Sequence, residues 1–533
     1  MNFLQYNLIQ YKKWKKARKE YDHLENLLKD VKRDSLLNKK IVFNTVRSMK
    51  NIFDREFFIG KILALNGANI VMLLDDGIMK HWDTIRIAHI SNINILEKYP
   101  LNLFPSFHNN YSTLLKSYFN KKLIKKAIKT YKDTNLKIIY YSEILKNLNY
   151  ENWQEMRKYA ESSTIRFFQT TNLDFNEKYV DYYYKLSLIN SIISKNVGEY
   201  VLNKIKPDFF LTSHGIYSSW GPAYDYLKKN NVKSYVYAGY LSHSIDKNDI
   251  YFTDAKVQTL SRSTFWKNYK NTPVTKEMEE KIKDWINLRM SYSTKDTKIY
   301  YNGELYTFKV DKNDGYKYHI AIFPSLVWDG NIKDRHIAFN GILDWLISTI
   351  NYLKKRRDIK IFLKFHPAEV TQFKNTPKIQ DILLDYIKLN KIENLVLIPS
   401  ENIINPYEFI KSGIDFGICY DGTLALEMPL LKIPILLGGV GGRFYVEGGN
   451  FTIKSREEYF NYLDNLENLI EEFHNNYDKY YTNIIRYSYW YLFENVMKLP
   501  TLSSNNLNKT DLLQLKKEDI KLDKKLLDIF KRI

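Results

Sequence analysis

The feature that most constrains the fold is a regular alternation of short apolar runs and helical patterns between residues 318 and 437. The five apolar runs are typical of strands buried on both faces, and the segments between them have helical spacing. Parallel strands joined by helices form a doubly wound sheet, which binds ligands beyond the carboxyl ends of its strands. The predicted strands are 319–323, 360–365, 395–398, 416–419 and 434–437, and the predicted helices are 339–355, 378–389, 406–412 and 424–430.

A similar alternation precedes this one. Residues 41–74 read as strand, helix and strand, with Gly67 closing the helix, and such a unit of ~30 residues belongs to a parallel sheet. Residues 101–185 interrupt the alternation with Tyr-rich helical patterns, which predicts a helical insertion. The later predicted elements are a helix at 186–206, a strand at 208–213, a helix at 220–230 and a strand at 233–238.

The length of 533 residues exceeds the ~250–300 residues at which single cores stop growing, so more than one domain is expected. The predicted fold class is α/β, with two Rossmann-like domains facing across a cleft and a helical insertion in the first. The predicted segments are a basic helix at 1–38, a first domain at 39–255 with its insertion at about 101–185, an interdomain connection at 256–315, a second domain at 316–500 and a helical tail at 501–533.

The net charge of +20, from 80 Lys and Arg against 60 Asp and Glu, favours association with polyanions. The basic residues are scattered, however, and the two dense runs at 12–19 and 121–129 match no nucleic-acid module. We therefore expect solvated helix faces and no nucleic-acid partner. For the N-terminal helix we favour docking on the first domain over binding to an anionic membrane surface, because acidic residues join its polar face after Lys19.

Cellular location is constrained by cysteine content and hydropathy. The single cysteine, Cys419, excludes an intramolecular disulfide and any CxxC metal site, and it suits a reducing compartment. The sequence shows no signal-peptide core and no apolar stretch of the ~18 residues needed to span a bilayer. We expect a cytoplasmic protein, with the inner face of the cell membrane as the alternative peripheral location.

Chemistry-bearing residues follow the second predicted strand of the later alternation. This strand ends in Lys364 and His366, a proline fixes the turn, and Glu369 follows. The His366 imidazole could donate to a phosphate oxygen or, if protonated, offset the charge of a diphosphate. The alternative is a histidine that caps the next helix or bonds a loop carbonyl.

A second motif, Asp421-Gly422-Thr423, follows the fourth predicted strand of that domain. The Thr423 hydroxyl is placed to cap the next helix, whose free N–H groups would suit a phosphate. Glu427 lies one turn later on the same face, where its carboxylate could accept hydrogen bonds from ribose hydroxyls. The alternatives are an ordinary N-cap and a first-turn acid that complements the helix dipole.

A glycine-rich loop follows the last predicted strand. Gly438 and Gly439 begin a run with four glycines in five positions, which lets a ligand approach the backbone, and Arg443 adds a planar fork of donors. The alternative is a plain flexible loop. It is not a Walker loop, because no Gly-Lys-Ser/Thr follows.

Taken in order, these elements resemble the bacterial capsule polysaccharide biosynthesis proteins, a glycosyltransferase group of GT-B-like fold that includes the capsule Kdo transferases. The resemblance covers residues 318–465 and consists of His366-Pro367, Thr423, Glu427 and the segments 432–439, 444–451 and 455–459. It implies a nucleotide-sugar donor in the second domain, with no obligatory metal or other cofactor. The predicted donor-binding residues are Lys364, His366, Glu369, Asp421, Gly422, Thr423, Glu427, Gly438, Gly439 and Arg443.

The acceptor is expected to be a surface polysaccharide or a lipid-linked glycan. Its hydroxyl needs a base if configuration inverts, or the sugar needs a stabilising carboxylate if configuration is retained. The candidates for these catalytic roles are His214, Asp329 and Asp76, each at a predicted strand end. Acceptor-side candidates are His81, Trp82 and Asp83, of which Trp82 could stack on a sugar ring. For each, the alternative is a loop residue with a local partner.

Three other functions share this architecture. One is a polyol-phosphate transferase that uses a CDP-activated donor, and another is a sugar-nucleotide 2-epimerase, which needs no acceptor. The third is a non-catalytic nucleotide-binding component of a capsule assembly complex.

Overall fold

In the residues that it describes, the computed structural model contains two largely parallel β-sheets, each covered by helices on both sides. The residues that it describes are 15–16, 19–20, 22–29, 36–46, 50–75, 78–79, 135–170, 172–239, 249–293, 305–330, 333–371, 378–498, 512–517 and 524–531.

Among the described residues, the N-terminal sheet has seven strands in the order β12-β6-β5-β4-β1-β2-β3. β1 to β5 pair in parallel, and β6 pairs antiparallel with both β5 and β12. The strand order reverses between β1 and β4, which makes this end of the two strands a switch point. The strands are β1 (Lys40–Thr45), β2 (Asn69–Leu74), β3 (Leu136–Tyr140), β4 (Phe209–Ser213), β5 (Lys233–Gly239), β6 (Asp249–Thr253) and β12 (Val496–Lys498).

Helices connect these strands and cover the sheet. The predicted helix after β1 is confirmed, and Gly67 follows it with φ +94°, a value that favours glycine. The helices up to the second sheet are α1 (Lys50–Leu65), α2 (Tyr141–Ile144), α3 (Arg157–Phe168), α4 (Lys178–Tyr200), α5 (Tyr217–Lys229), α6 (Thr264–Tyr269) and α7 (Lys276–Met290).

The segment 101–185 was predicted to be a helical insertion, but it also contains a strand. Leu136–Tyr140 forms β3, which pairs in parallel with β2 at the edge of the N-terminal sheet. The sequence LKIIY is a short apolar run in Tyr-rich surroundings, and only the pairing with β2 decides between strand and helix. Residues 101–134 lie outside the described part of the chain.

The C-terminal sheet has five parallel strands in the order β11-β10-β7-β8-β9. Its strands and helices lie where the apolar runs predicted them. The strands are β7 (Tyr318–Phe323), β8 (Ile359–Lys364), β9 (Leu395–Ile398), β10 (Phe416–Cys419) and β11 (Ile435–Leu437), and the helices are α8 (Ile342–Leu353), α9 (Ile379–Asn390), α10 (Pro406–Lys411) and α11 (Leu424–Leu430).

The chain then returns to the first domain. After α12 (Arg456–Asp464), α13 (Leu466–Asn475) and α14 (Tyr477–Tyr489), strand β12 pairs with β6 of the N-terminal sheet. The last helix, α15 (Lys524–Lys531), places Phe530 against the rings of Phe209 and Phe252. The predicted second domain, 316–500, therefore includes β12, which belongs to the N-terminal sheet. No break in the sequence pattern marks this change of domain.

Two other predicted segments are described in part. Leu24 and Leu28 of the N-terminal segment are buried in the core of the first domain, where docking places them. Within the connection, α7 packs on the second domain with Ile282 and Trp285 fully buried. Residues 294–304 of the connection lie outside the described residues.

Within the described ranges, no helix combines the length and the apolar character that crossing a bilayer requires.

Candidate functional site

A cavity of about 370 Å³ lies at the carboxyl ends of β7, β8 and β10, where the strand order of the C-terminal sheet reverses. Ligands of doubly wound sheets bind at this switch point. The cavity walls come from residues 323–326 at the end of β7, residues 364–367 at the end of β8, and Cys419 with residues 421–424 at the end of β10. Further lining residues are Arg289 of α7, Asp329 and Arg335 of the loop after β7, and Arg443 of the glycine-rich loop.

Cationic side chains outnumber acidic ones in this cavity. The cations are Arg289, Arg335, Lys364 and Arg443, and the acids are Asp329, Asp421 and Glu427. The formal balance is four minus three, or +1, when every group is charged. Such a lining suits an anionic ligand held by several planar or point charges.

The carboxylate of Asp421 binds both Arg335 and the glycine-rich loop. Its carboxylate pairs with Arg335 at 3.1 Å, and both side chains are 4% exposed. It also accepts hydrogen bonds from the backbone N–H groups of Arg443 and Phe444, at 3.1 and 3.3 Å. A Cβ atom at Gly442 would lie 2.7 Å from Asp421 Oδ2, so this glycine is needed for the close approach. Asp421 therefore holds the glycine-rich loop against β10.

Glu427 does not present an open carboxylate to a ribose. Its Oε1 lies 2.6 Å from Arg289 Nε, and its Oε2 accepts the hydroxyl of Tyr407 at 3.0 Å. The residue is 1% exposed. Because protein donors hold both oxygens, the predicted contact with ribose hydroxyls is not supported. Glu427 instead fixes Arg289, which α7 brings into the cavity.

The sequence predicts that Thr423 caps α11, but the structure shows no such cap. The Thr423 backbone is helical, with φ −61° and ψ −27°, whereas a capping residue is extended, and its side chain makes no capping bond. Its Oγ1 accepts from Arg289 Nη2 at 3.5 Å. Thr423 and the adjacent Gly422 nevertheless line the cavity.

His366 lines the cavity with a neutral ring. Its Nδ1 accepts the backbone N–H of Ala368 at 3.1 Å, and burial together with the charge of Lys364 lowers its pKa to about 4. The neutral ring therefore carries its proton on Nε2, which makes that nitrogen a donor. The protonated form considered from the sequence is disfavoured at neutral pH.

Lys364 and Glu369 are both buried after β8, at 6% and 1% exposure. Lys364 Nζ donates to the carbonyls of Phe365 and Pro399, at 2.6 and 3.1 Å, and burial lowers its pKa to about 8. Burial raises the pKa of Glu369 to about 7. Lys364 lines the cavity and Glu369 does not. The structure therefore does not support the prediction that Glu369 contacts a nucleotide-sugar donor.

Gly438 and Gly439 lie outside the cavity lining. A Cβ at Gly438 would lie 2.2 Å from Trp345 Nε1, and one at Gly439 would lie 2.7 Å from the carbonyl oxygen of Tyr420. These glycines therefore allow close packing within the protein, not the approach of a ligand. Only the end of the loop reaches the cavity, where Arg443 Nε donates to the carbonyl of Val257 at 3.1 Å.

The catalytic candidates are placed differently from one another. His214 does not line the cavity; its Nδ1 lies 2.5 Å from Ser213 Oγ and its ring stacks on Trp220 with centroids 5.4 Å apart. Asp329 lines the cavity, its side chain is 57% exposed, and it pairs with Arg166 of α3 at 3.1 Å. The candidates Asp76, His81, Trp82 and Asp83 lie outside the described residues.

Sequence reasoning missed Arg166, Arg289 and Arg335. Arg289 lies near the end of an ordinary amphipathic helix in the interdomain connection, and Arg335 lies in a short 3₁₀ turn. No local pattern distinguishes them from surface cations, and only the packing of α7 and of the loop after β7 brings the latter two to the cavity. Among the residues that the structure describes, no group of His, Cys, Asp and Glu has the arrangement of a metal site.

No family model matches the sequence, and no curated protein matches it. Similar solved structures include a β-Kdo 2,4 transferase, KpsC, of Thermosulfurimonas dismutans. That similarity has 12% identity over 45% of this chain and 72% of that chain, with a TM-score of 0.30.

Two further structures cover more of the chain. The UDP-GlcNAc 2-epimerase of Neisseria meningitidis, bound to UDP-GlcNAc, is 12% identical over 85% of this chain and 96% of that chain, with a TM-score of 0.23. The sucrose-phosphate synthase of Thermosynechococcus elongatus is 12% identical over 86% and 96%, with a TM-score of 0.27. The two-domain, GT-B-like fold follows from the strand orders of the two sheets themselves.

Proposed function

We propose that this protein is a glycosyltransferase that holds a nucleotide-sugar donor in the C-terminal cavity. The observation that carries the proposal is the convergence of Arg289, Arg335, Lys364 and Arg443 at the switch point of a doubly wound sheet. Phosphate groups of an activated sugar are the ligand that such a set of cations suits. The acceptor is a surface polysaccharide or a lipid-linked glycan.

Different residues act on the leaving group and on the acceptor. Transfer breaks the bond between the anomeric carbon and the phosphate oxygen and forms one to the acceptor oxygen. The arginines and the Nε2–H of neutral His366 stabilise the negative charge that develops on the departing phosphate. Asp329 takes the proton of the acceptor hydroxyl, because it is the most exposed carboxylate in the cavity lining and lies beside that phosphate site.

The pairing of Arg289 with Glu427 connects the donor cavity to the interdomain segment. Arg289 is 5% exposed and extends from α7, and Thr423 lies within 3.5 Å of its Nη2. A guanidinium held by one carboxylate keeps further N–H donors for a phosphate in the same plane. Binding of the donor therefore brings the interdomain connection and the second domain into contact with one ligand.

Nucleotide binding is the direct test. The intact chain is screened by thermal shift against UDP, GDP, CMP and CDP derivatives, including CDP-glycerol, and a ligand at 100 times its Kd is expected to stabilise by about 2.7 kcal/mol. Arg443→Gln removes a cation from the lining and is expected to raise the Kd by about tenfold or more. The control is Arg456→Gln, whose guanidinium lies outside the cavity over the ring of Phe339.

The outcomes separate the alternatives. Release of nucleotide only when a glycan acceptor is added supports the transferase. Conversion of the sugar nucleotide without acceptor identifies an epimerase, and turnover of CDP-glycerol alone identifies a polyol-phosphate transferase. Absence of any nucleotide-induced shift, or equal losses in Arg443→Gln and Arg456→Gln, contradicts the assignment of the cavity.

A further inference from the structure

Gln258 lines the donor cavity, although it belongs to the interdomain connection and not to the C-terminal sheet. It lies in a 3₁₀ turn, Val257–Arg262, and it is 6% exposed. Its carboxamide oxygen Oε1 is buried, and no donor in the described part of the chain bonds it. Burial of a polar atom without a partner is unfavourable, so such an atom in a cavity wall points to a ligand that supplies a hydrogen-bond donor.

The hydroxyl side chains of the same lining each bond a protein group. Ser325 Oγ donates to a backbone carbonyl, the Tyr407 hydroxyl donates to a carboxylate, and Thr423 Oγ1 accepts from a guanidinium. The arginines and the lysine of the lining can only donate, which suits phosphate oxygens. A carboxamide both accepts and donates, which matches the hydroxyl and acetamido groups of a sugar. Gln258 is therefore suited to the uncharged part of a nucleotide sugar.

The position of Gln258 lies between the phosphate-binding side of the cavity and the proposed base. The carbonyl of the preceding residue, Val257, accepts a hydrogen bond from Arg443 Nε at 3.1 Å. The Gln258 side chain packs on Gly330, the residue after Asp329, and a Cβ at Gly330 would lie 2.0 Å from Gln258 Nε2. The anomeric carbon of the transferred sugar lies between the departing phosphate and the acceptor oxygen. The sugar ring therefore belongs beside the Gln258 carboxamide.

Hydrogen bonds fix the turn that carries Gln258 to the glycine-rich loop. Ser261 Oγ donates to the carbonyl of Gly442 at 2.9 Å. Arg262 Nη2 donates to the carbonyl of Val440 at 3.0 Å. A side chain on a backbone that is held in this way keeps its place relative to a bound donor, as discrimination between similar sugars requires.

We propose that Gln258 is a specificity-determining contact for the transferred sugar, and that its Oε1 accepts a hydrogen bond from a hydroxyl or an acetamido N–H of that sugar. The inference rests on the proposed glycosyltransferase function, and it adds a residue that reads the sugar and not the nucleotide. A sugar that lacks the contacted group is rejected, because the buried oxygen then stays unpaired. No proton transfer or bond breaking is assigned to Gln258.

The test compares each nucleotide sugar with its own free nucleotide by calorimetric titration of the full chain. The probes are UDP-glucose, UDP-N-acetylglucosamine, GDP-mannose and CMP-N-acetylneuraminate, paired with UDP, GDP and CMP. Gln258→Met keeps the length of the side chain and removes the carboxamide. It is expected to raise the Kd of the nucleotide sugar that the natural protein binds by about tenfold, and to leave the Kd of the free nucleotide unchanged.

A matched control and a second variant separate a sugar contact from a structural role. Gln380→Met replaces another buried glutamine, whose Oε1 accepts hydrogen bonds from Ser400 outside the cavity lining, and it should keep both Kd values. Gln258→Asn withdraws the carboxamide by one methylene and should act in the same direction as Gln258→Met. Melting temperatures without ligand show which variants are folded.

Deoxy analogues of the bound nucleotide sugar identify the contacted group. The natural protein is expected to bind one of them about tenfold more weakly than the parent, and Gln258→Met should remove that difference. An equal change in the Kd of sugar nucleotide and free nucleotide, or no change in either, overturns the sugar contact while nucleotide binding leaves the donor cavity standing. Absence of binding by every nucleotide overturns the proposed function, and this inference with it.

Discussion

The carboxyl ends of the two sheets have the same topology and different chemistry. In both sheets the first strand in chain order is an interior strand, and the strand order reverses beside it. At the C-terminal sheet, this edge carries a cavity in which four cations converge. At the N-terminal sheet, His214 bonds its own neighbour, Ser213, and Asp75 accepts the backbone N–H groups of Ile78 and Met79 in its own loop.

The difference shows that strand order alone does not make a binding site. A switch point offers space between diverging loops, and the side chains that follow the strands decide what occupies it. In the N-terminal domain, His214 and Asp75 bond groups of their own loops. In the C-terminal domain, Asp421 and Glu427 instead hold Arg335 and Arg289, two cations from distant parts of the chain.

Catalysis provides the largest expected contrast between the two edges. Asp329→Asn removes the proposed base and is expected to lower the rate of transfer by about 10²- to 10⁴-fold. His214→Asn should leave the rate within the same order of magnitude, because His214 does not line the donor cavity and asparagine tolerates its φ of +53°. Rates are measured with the nucleotide sugar selected by thermal shift. A larger loss in His214→Asn than in Asp329→Asn would reverse the assignment.

Stability provides the second contrast, between Asp421 and Asp75. Asp421→Ala leaves the buried Arg335 guanidinium without its carboxylate, and we expect the free energy of unfolding to fall by about 3–5 kcal/mol. Asp75→Ala removes an acceptor of two backbone N–H groups, which costs about 1–3 kcal/mol. Urea denaturation of both variants measures the difference. Equal losses of stability in the two variants would contradict the larger effect expected from the buried Asp421–Arg335 ion pair.

The smallest expected effect concerns pH and the buried carboxyl of Glu369. Its pKa in the folded protein is about 7, above the ordinary 4.5, so its contribution to stability is present at low pH and lost as pH rises through 7. Glu369→Gln keeps the neutral shape, so its stability relative to the natural protein should increase between pH 5 and 8 by roughly 2–3 kcal/mol. The measurement is urea denaturation at several pH values.

The control for this prediction is Glu447→Gln, which neutralises an exposed acid of the same domain. Its effect on stability should not change over that pH range. If Glu369→Gln and Glu447→Gln have parallel pH profiles, the Glu369 carboxyl is ionised in the folded protein, and its burial does not set its charge.

Much of the fold could be predicted from local pattern. The bounds of β9, β10 and α11 are the predicted ones, because buried parallel strands are continuous apolar runs with clear breaks between them. β3 was missed, since a five-residue apolar run in a Tyr-rich segment gives no periodicity by which to separate strand from helix. β12, which pairs with β6 of the N-terminal sheet, was also missed, since a strand this short gives no periodicity.

The site was predicted less completely than the fold. The sequence alone determined that Lys364, His366, Asp421, Thr423 and Arg443 follow strand ends, because side chains after parallel strands meet at one edge of a sheet. Only tertiary packing decided which of these face a ligand and which face protein. It buried Glu369, packed Gly438 and Gly439 against Trp345 and Tyr420, and brought Arg289 and Arg335 to the cavity. Such contacts join residues far apart in the chain, so no local pattern records them.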